Sequence, residues 1–345
     1  MLRSPVDIDR LEKFLSALLR RSGLRAADAR AVAWVYRTMT LRGVGHHDVT
    51  DFPNLLAKLA AGTFTARPRI ATVVDRQAVA VMDGDGAPGA LSAYRMTELA
   101  IRKARRYGLG FVTLRNSNHF IGAAAYTLLA AERGLIGLAL SNTVPGMGSG
   151  RSRDAAIGNN PWGFAVQTGA GWPLLLDMCN AYASYGKLHE FKKHGWKIPP
   201  TWGLDRRRRP TTDPVGVLDG GLPLPLGDHK GFALAILVEL LTSVLSGGAM
   251  LDEVSLSPTR RNGSCQAALV IDPRRFLTPA TFAARSRKLV RKLQDHPPLK
   301  RGAPLLLPGQ RSHLAALKIH KDGVRLSRQT LAALNGWAAR LHVEV

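Results

Sequence analysis

The sequence predicts a mixed α/β protein, and three observations carry that prediction. Apolar residues make up 46% of the 345, the share of a globular chain with a sizeable core. The first fifty residues repeat their apolar positions with helical period, whereas from residue 70 short aliphatic runs alternate with helix-length ones. That alternation is the pattern of strands joined by helices.

Taken in order, Leu11, Phe14, Leu15, Leu18 and Leu19 fall on one helical face, and Val32, Val35, Tyr36 and Met39 mark a second helix. Gly23 separates the two, and Asp9 or Ser4 is placed to cap the first. The second helix runs into a glycine-punctuated turn, 41–49, that carries His46 and His47. Strands are expected at 70–74, 78–82, 110–114 and 135–141, with helices at 89–106 and 123–133. Read locally, that order suggests parallel strands with crossover helices. The stretch 162–227 reads as loop-rich, with seven prolines from Pro173 to Pro225. A helix over 230–245 is apolar nearly all round, which suits the core or a subunit contact and leaves Glu239 in need of a partner. A strand at 267–271, a basic helix at 282–293 and a closing helix from Thr330 complete the chain.

Composition narrows the function classes. No run of 18 apolar residues is present, so no transmembrane helix is expected, and the charged N-terminus lacks the apolar segment of a signal peptide. Cys179 and Cys265 are the only cysteines, too few for a disulfide framework or a zinc thiol cluster, which fits a cytoplasmic protein. Lys plus Arg number 48 against 25 acids, a net charge of +23. Such an excess can attract nucleic acid, anionic membrane or phosphorylated ligands. The basic residues are scattered and aromatics are 6%, so specific nucleic-acid binding is not expected and a solvated basic surface is. The excess could still favour an anionic substrate or a 2′-phosphorylated cofactor.

Two patterns look like sites and are read otherwise. Gly84-Asp-Gly86-Ala-Pro-Gly89 has dinucleotide-fingerprint spacing between a strand and a helix, but the acid needed about twenty residues later is missing. A tight structural turn is expected. His189 and His194 are five apart rather than the four that puts two ligands on one helix face, so both are taken as surface residues and no metal site is expected.

Chemistry is concentrated in an ordered series of short motifs. They are Arg115-Asn-Ser-Asn-His119-Phe-Ile-Gly122, Gly158-Asn-Asn-Pro161-Trp-Gly-Phe-Ala165, Pro210-Thr-Thr-Asp213-Pro, and Leu224-Pro-Leu-Gly-Asp-His-Lys230-Gly running to Glu239. Histidine suits proton exchange with a substrate oxygen, because its pKa lies near working pH. His119, between a strand and a helix, and His47, in the turn after the second helix, are the candidates. A helix N-terminus beside His119 would press its ring toward the neutral form.

In that order the motifs resemble the malate/L-lactate dehydrogenase family that lacks a Rossmann fold, over nearly the whole chain. The resemblance implies an α/β (α+β) architecture: a central, mostly antiparallel sheet flanked by helices from both chain ends. Three stretches follow from it, 1–69, 70–265 and 266–345, the first packing with the last. It also implies a homodimeric NAD(P)-dependent oxidoreductase that interconverts a 2-oxo acid with a 2-hydroxy acid, His47 and His119 sharing the acid/base and orienting roles. A cyclic imino-acid reductase is the alternative, and an inactive relative that binds anionic polymers is the rival from another class.

The family's Gly-Val-Asp-Ser-His-Gly-Val turn, with an Arg two residues on, reads here Gly43-Val-Gly45-His46-His47-Asp48-Val49-Thr50-Asp51. An arginine would grip a carboxylate, and an aspartate would repel one. Either another base such as His46 grips it, or the substrate turns a cation or hydroxyls toward Asp48 and Asp51, or activity is lost. Asn116 joins these as a substrate-facing candidate. For the cofactor the resemblance implies Asn159, Asn160, Pro161, Asp177, Met178, Cys179, Asn180, Lys230, Gly231, Gly309 and Gln310. Glutamine at 310 where relatives carry an acid leans toward NADPH.

Overall fold

The computed structural model describes residues 2–43, 45–149, 151–255, 263–299 and 305–344. The N-terminal helices are α1 (Ile8–Arg21) and α2 (Ala26–Leu41), followed past a short 3₁₀ turn by α3 (Phe52–Ala60). Along α1, Leu11, Leu15, Leu18 and Leu19 are fully buried against α2. Each such side chain contributes about 1.5–3 kcal/mol by leaving water. The cap of α1 is Asp7, whose carboxylate accepts the amides of Asp9 and Arg10, and not Asp9 or Ser4. Asp7 directly precedes the first helical residue, where a side-chain oxygen reaches the free amides.

A seven-stranded sheet forms the centre. Its first strands are β1 (Ala71–Arg76), β2 (Val79–Asp83) and β3 (Leu109–Ser117), with α4 (Gly89–Tyr107) between the last two. Next come α5 (Ala123–Ala131), β4 (Ile136–Ser141), β5 (Trp162–Gln167) and β6 (Pro173–Met178). The stretch 179–245 folds beside the sheet as α6 (Tyr185–His194), β7 (Gly203–Leu204), α7 (Pro214–Leu218), β8 (Leu222–Pro223) and α8 (His229–Glu239). A π-turn, Leu240–Val244, prolongs α8. After β9 (Ser264–Ile271) the chain ends in α9 (Pro279–Gln294), α10 (Gln310–Asp322) and α11 (Arg328–Arg340).

The strand order is β1-β2-β3-β9-β4-β5-β6, and only β2 and β3 run parallel. The local reading of parallel strands is thus overturned, and the mostly antiparallel sheet is the one observed. The reason is β9. It enters antiparallel between β3 and β4, pairing Val112 with Ala268 on one side and Ala139 with Ala268 on the other. β3 and β4, consecutive in sequence, are therefore not neighbours in the sheet. Within the loop-rich region 162–227, β5 and β6 make a hairpin joined through residues 168–172, and α6 follows.

Helix α4 packs on β3 and β9, and α5 on β4 and β5. Tight seams require small residues. A Cβ on Gly89 would lie 2.1 Å from the Asn118 carbonyl oxygen and 2.2 Å from that of His119. The start of α4 is therefore pressed against peptide carbonyls, which is what the glycine-rich turn before it is for. The termini meet: Val6 and Val324 exchange amide bonds, and the Leu2 amide donates to the Asn335 side chain. One apolar core runs from Leu2 through the sheet to Ala338.

Candidate active site

A cavity of ≈ 980 Å³ opens between the turn at 46–51, α3, the start of α5 and the segment 177–187. Three imidazoles meet on its wall. Rings of His46 and His47 lie 4.4 Å apart, and those of His47 and His119 lie 5.0 Å apart, edge to face. The turn holding the first two is built by Asp48, whose carboxylate accepts the amides of Gly45 and Thr50 at 3.2 and 2.9 Å. From the far side α6 closes on His46 so tightly that a Cβ on Gly186 would lie 2.3 Å from the ring. His119 follows β3 in an irregular bend in which Ile121, a branched residue, is held at φ 74°.

Burial decides the charge of these rings. It depresses the His47 pKa to about 2, and the nearby His119 and His46 rings add to the effect. His119 is lowered as well, again mainly by burial. Lys58 and His46 lower it further, while Asp51 works in the opposite direction. The Ile121 amide donates to Nδ1 of His119 at 3.4 Å, so the neutral ring carries its proton on Nε2. The site therefore rests with its buried rings neutral.

Acids and bases share the rest of the wall. Asp177 closes β6 and acts as a cap for a helix it does not belong to: its Oδ2 accepts the Ala124 amide at 2.9 Å, where Gly122 offers α5 no side chain. It is open to the cavity but ringed by protein. Burial raises its carboxyl pKa to about 6, against the lowering effect of the Ala124 and Ala123 amides. Asp51 receives the Tyr36 hydroxyl at 3.4 Å and the Asn54 side-chain amide at 3.2 Å. Lys58, Lys187 and Arg311 bring positive charge to the same lining.

Of the residues singled out in the sequence, the cavity gathers His46, His47, His119, Asp51, Asn159, Pro161, Asp177, Met178 and Cys179. Others lie elsewhere. Asp48 is occupied inside its turn, and the exposed Asn116 side chain donates to the Asp83 carboxylate at 2.7 Å. Asn160 and Asn180 are fully buried and bonded to each other's surroundings: Asn180 donates to the Asn160 carbonyl at 2.6 Å. Lys230 is exposed on α8, and Gly231 closes that helix against Leu226 and Asn180. Gly309 passes 2.5 Å (as a virtual Cβ) from the Pro173 carbonyl, and the Gln310 side chain turns back to accept the Leu307 amide at 3.3 Å. His189 and His194 are exposed on α6.

Sequence reasoning did not single out Lys58, Thr143, Tyr185, Lys187 or Arg311. Arg311 is one residue beyond the turn that was noticed, and Lys58 lies seven after Asp51 on α3. Helical spacing from Asp51 was the available signal for Lys58. Tyr185 and Lys187 carry none, because they lie in a stretch whose sequence is loop-rich and lacks a clear helical period.

The cavity thus gathers three imidazoles, two carboxylates and three basic side chains on one wall system, and comparison with known proteins gives the lineage. A family model described as malate/L-lactate dehydrogenase matches residues 6–335. The chain belongs to that family. It is 32% identical to the malate dehydrogenase of Pyrococcus horikoshii, over 98% of this chain and 96% of that protein. It is 31% identical to a Δ1-pyrroline-2-carboxylate/Δ1-piperideine-2-carboxylate reductase of Pseudomonas putida, over 95% of each. The solved sulfolactate dehydrogenase of Methanocaldococcus jannaschii superposes with a TM-score of 0.91 at 29% identity, covering 98% of both chains.

Proposed function

We propose that this chain interconverts 2-oxo acids and 2-hydroxy acids in the cavity where His47 and His119 meet. The observation that carries the reading is that ring pair, 5.0 Å apart, on the wall of a cavity of ≈ 980 Å³. That volume is at the upper end for a single-ligand pocket, so a small acid leaves room for part of a dinucleotide. A nicotinamide, when bound, supplies or takes up the hydride. Thr143, Asn159, Pro161 and Met178 would hold it along one wall, with Lys187 and Arg311 facing its charged groups or the substrate's.

His119 exchanges the proton with the substrate oxygen. Asp51 is the one group acting to favour its charged form, and the long contact at Nδ1 must open when the ring gains a second proton. His47, kept neutral, orients the substrate through hydrogen bonds. Lys58 or Arg311 supplies the cation for the carboxylate that Asp51 cannot. The strongly basic chain and the amide at Gln310 favour NADPH over NADH. A homodimer fits α8, whose outer face leaves Ile236, Leu237, Leu240, Val244 and Leu245 exposed, the last at 53%. Among the described residues no helix is long and apolar enough to cross a membrane, and a cytoplasmic enzyme fits this composition. A cyclic imino acid is the second reading, favoured by Asp51 on the wall.

Fluorescence titration with NADH and NADPH, followed by a panel of 2-oxo acids, tests the reading. Binding of one dinucleotide, then loss of its signal with one acid, is the expected result. No binding of either would overturn it.

A further inference from the structure

We propose that the cavity selects a substrate carrying a positive charge in addition to its carboxylate, and that Asp51 receives that charge. The inference rests on the oxidoreductase reading and names its substrate class. That class is a 2-oxo acid with an amino or guanidino group at its far end, or the cyclic iminium that an ω-amino-2-oxo acid forms when its amine condenses with its own ketone and loses water.

Asp51 occupies the N-cap position of α3, where an aspartate usually accepts amides of the first helical turn. Here it makes no such bond. Its carboxylate is instead held by the hydroxyl of the fully buried Tyr36 and by Asn54, and it lines the cavity. A helix cap has thus been forgone and the acid aimed at the site. Among the described residues Asp51 has no ion-pair partner within 4.0 Å, in a chain with 48 Lys and Arg against 25 acids. A half-buried carboxylate held by two neutral donors retains lone pairs for a cation. Lys58 stands seven residues along the same helix, about 10 Å in axial rise. Lys58 and Arg311 line the same cavity and can hold the substrate's carboxylate.

The chemistry of the rings points the same way. Burial keeps His47 neutral and lowers His119, so the resting site has no ready imidazolium. An iminium already carries its proton. When a reduced nicotinamide is bound, its hydride would go to the carbon and the C=N π pair to nitrogen, which would leave a neutral secondary amine and an oxidised nicotinamide. No protein acid is required for that step. Asp51 stabilises the cation that enters.

The test compares kcat/KM for 5-guanidino-2-oxopentanoate and its neutral isostere 5-ureido-2-oxopentanoate, with oxaloacetate and Δ1-piperideine-2-carboxylate alongside. Wild type, Asp51→Asn and Asp51→Glu are measured, with dinucleotide titration and circular dichroism to establish that each is folded. The cationic acid should be preferred over its isostere by roughly tenfold or more. That preference should collapse to within about threefold in Asp51→Asn and return in Asp51→Glu. Turnover of the piperideine acid should fall in parallel. If oxaloacetate or the ureido acid is preferred, or the preference survives Asp51→Asn, the inference fails and the oxidoreductase stands. Absence of both dinucleotide binding and turnover would overturn the two together.

Discussion

Two polar clusters lie close together beside the sheet, and they differ in one respect. Around Glu239 every bond is used. Its Oε1 accepts from Asn142, Ser243 and the Leu251 amide at 3.2, 3.0 and 3.2 Å, and its Oε2 accepts from Asn160 at 2.8 Å. Asn160 also donates to the Ala235 carbonyl and accepts the Thr143 amide, so α8, β5 and the loop after β4 are tied into one knot. Around His119 the bonds are few and long, and the groups face open space. Both clusters contain acids, amides and motif residues. The difference teaches that saturation, more than residue type, separates framework from site: a carboxylate with four donors has nothing left to offer a ligand.

The contrast can be broken from either side. His119→Gln should lower kcat by about 10²–10⁴-fold while dinucleotide binding persists, as steady-state kinetics and titration would reveal. A loss of less than about threefold would move the acid/base role away from His119. Glu239→Ala should cost about 3–5 kcal/mol in urea unfolding, because several buried donors lose their acceptor together. A cost under about 1 kcal/mol would dissolve the distinction drawn here.

Titration sharpens it further. His47 stays neutral in the folded protein down to about pH 2, whereas in the unfolded chain it charges below about pH 6.5. Stability is thus lost as pH falls below 6.5, by up to about 2 kcal/mol at pH 5. In His47→Gln that part of the acid sensitivity should be missing when urea midpoints at pH 7.5 and 5 are compared. Asp177 has the opposite sign. Its folded pKa is raised from 3.8 to about 6, so wild type loses stability as pH rises through that window. The melting temperature of Asp177→Asn relative to wild type should rise from pH 4 to pH 7, by roughly 2 °C or less for a solvent-facing group. A difference that does not change with pH would return Asp177 to a plain capping role.

The helices of the N-terminal region were readable because their apolar period is a local property: Leu11, Leu15 and Leu18 needed no distant partner to declare a face. Sheet pairing was not, because the strand beside both Val112 and Ala139 is supplied more than a hundred residues later at Ala268. The site divides along the same line. His47 and His119 could be picked by chemistry and motif, and the structure brings their rings together. Asn160 and Asn180 were picked by motif too, yet their bonds turn inward. Nothing in residue order distinguishes an amide that holds a ligand from one that holds a strand. Lys58 and Arg311 were passed over because a lone basic residue in a chain with 48 of them carries no local signal.

The late arrival of β9 has a bearing on how this chain is made. Until residues 264–271 have left the ribosome, β1–β3 and β4–β6 can exist only as half-sheets, each ending in an unpaired edge, β3 and β4. Such edges recruit whatever strand is near, including one from another copy. Synthesis therefore passes through a long interval in which the sheet is open at its middle, and one eight-residue strand closes both sides at once. A chain halted before residue 264 would be sticky rather than merely shorter, and a chaperone that shields those edges would act on this interval.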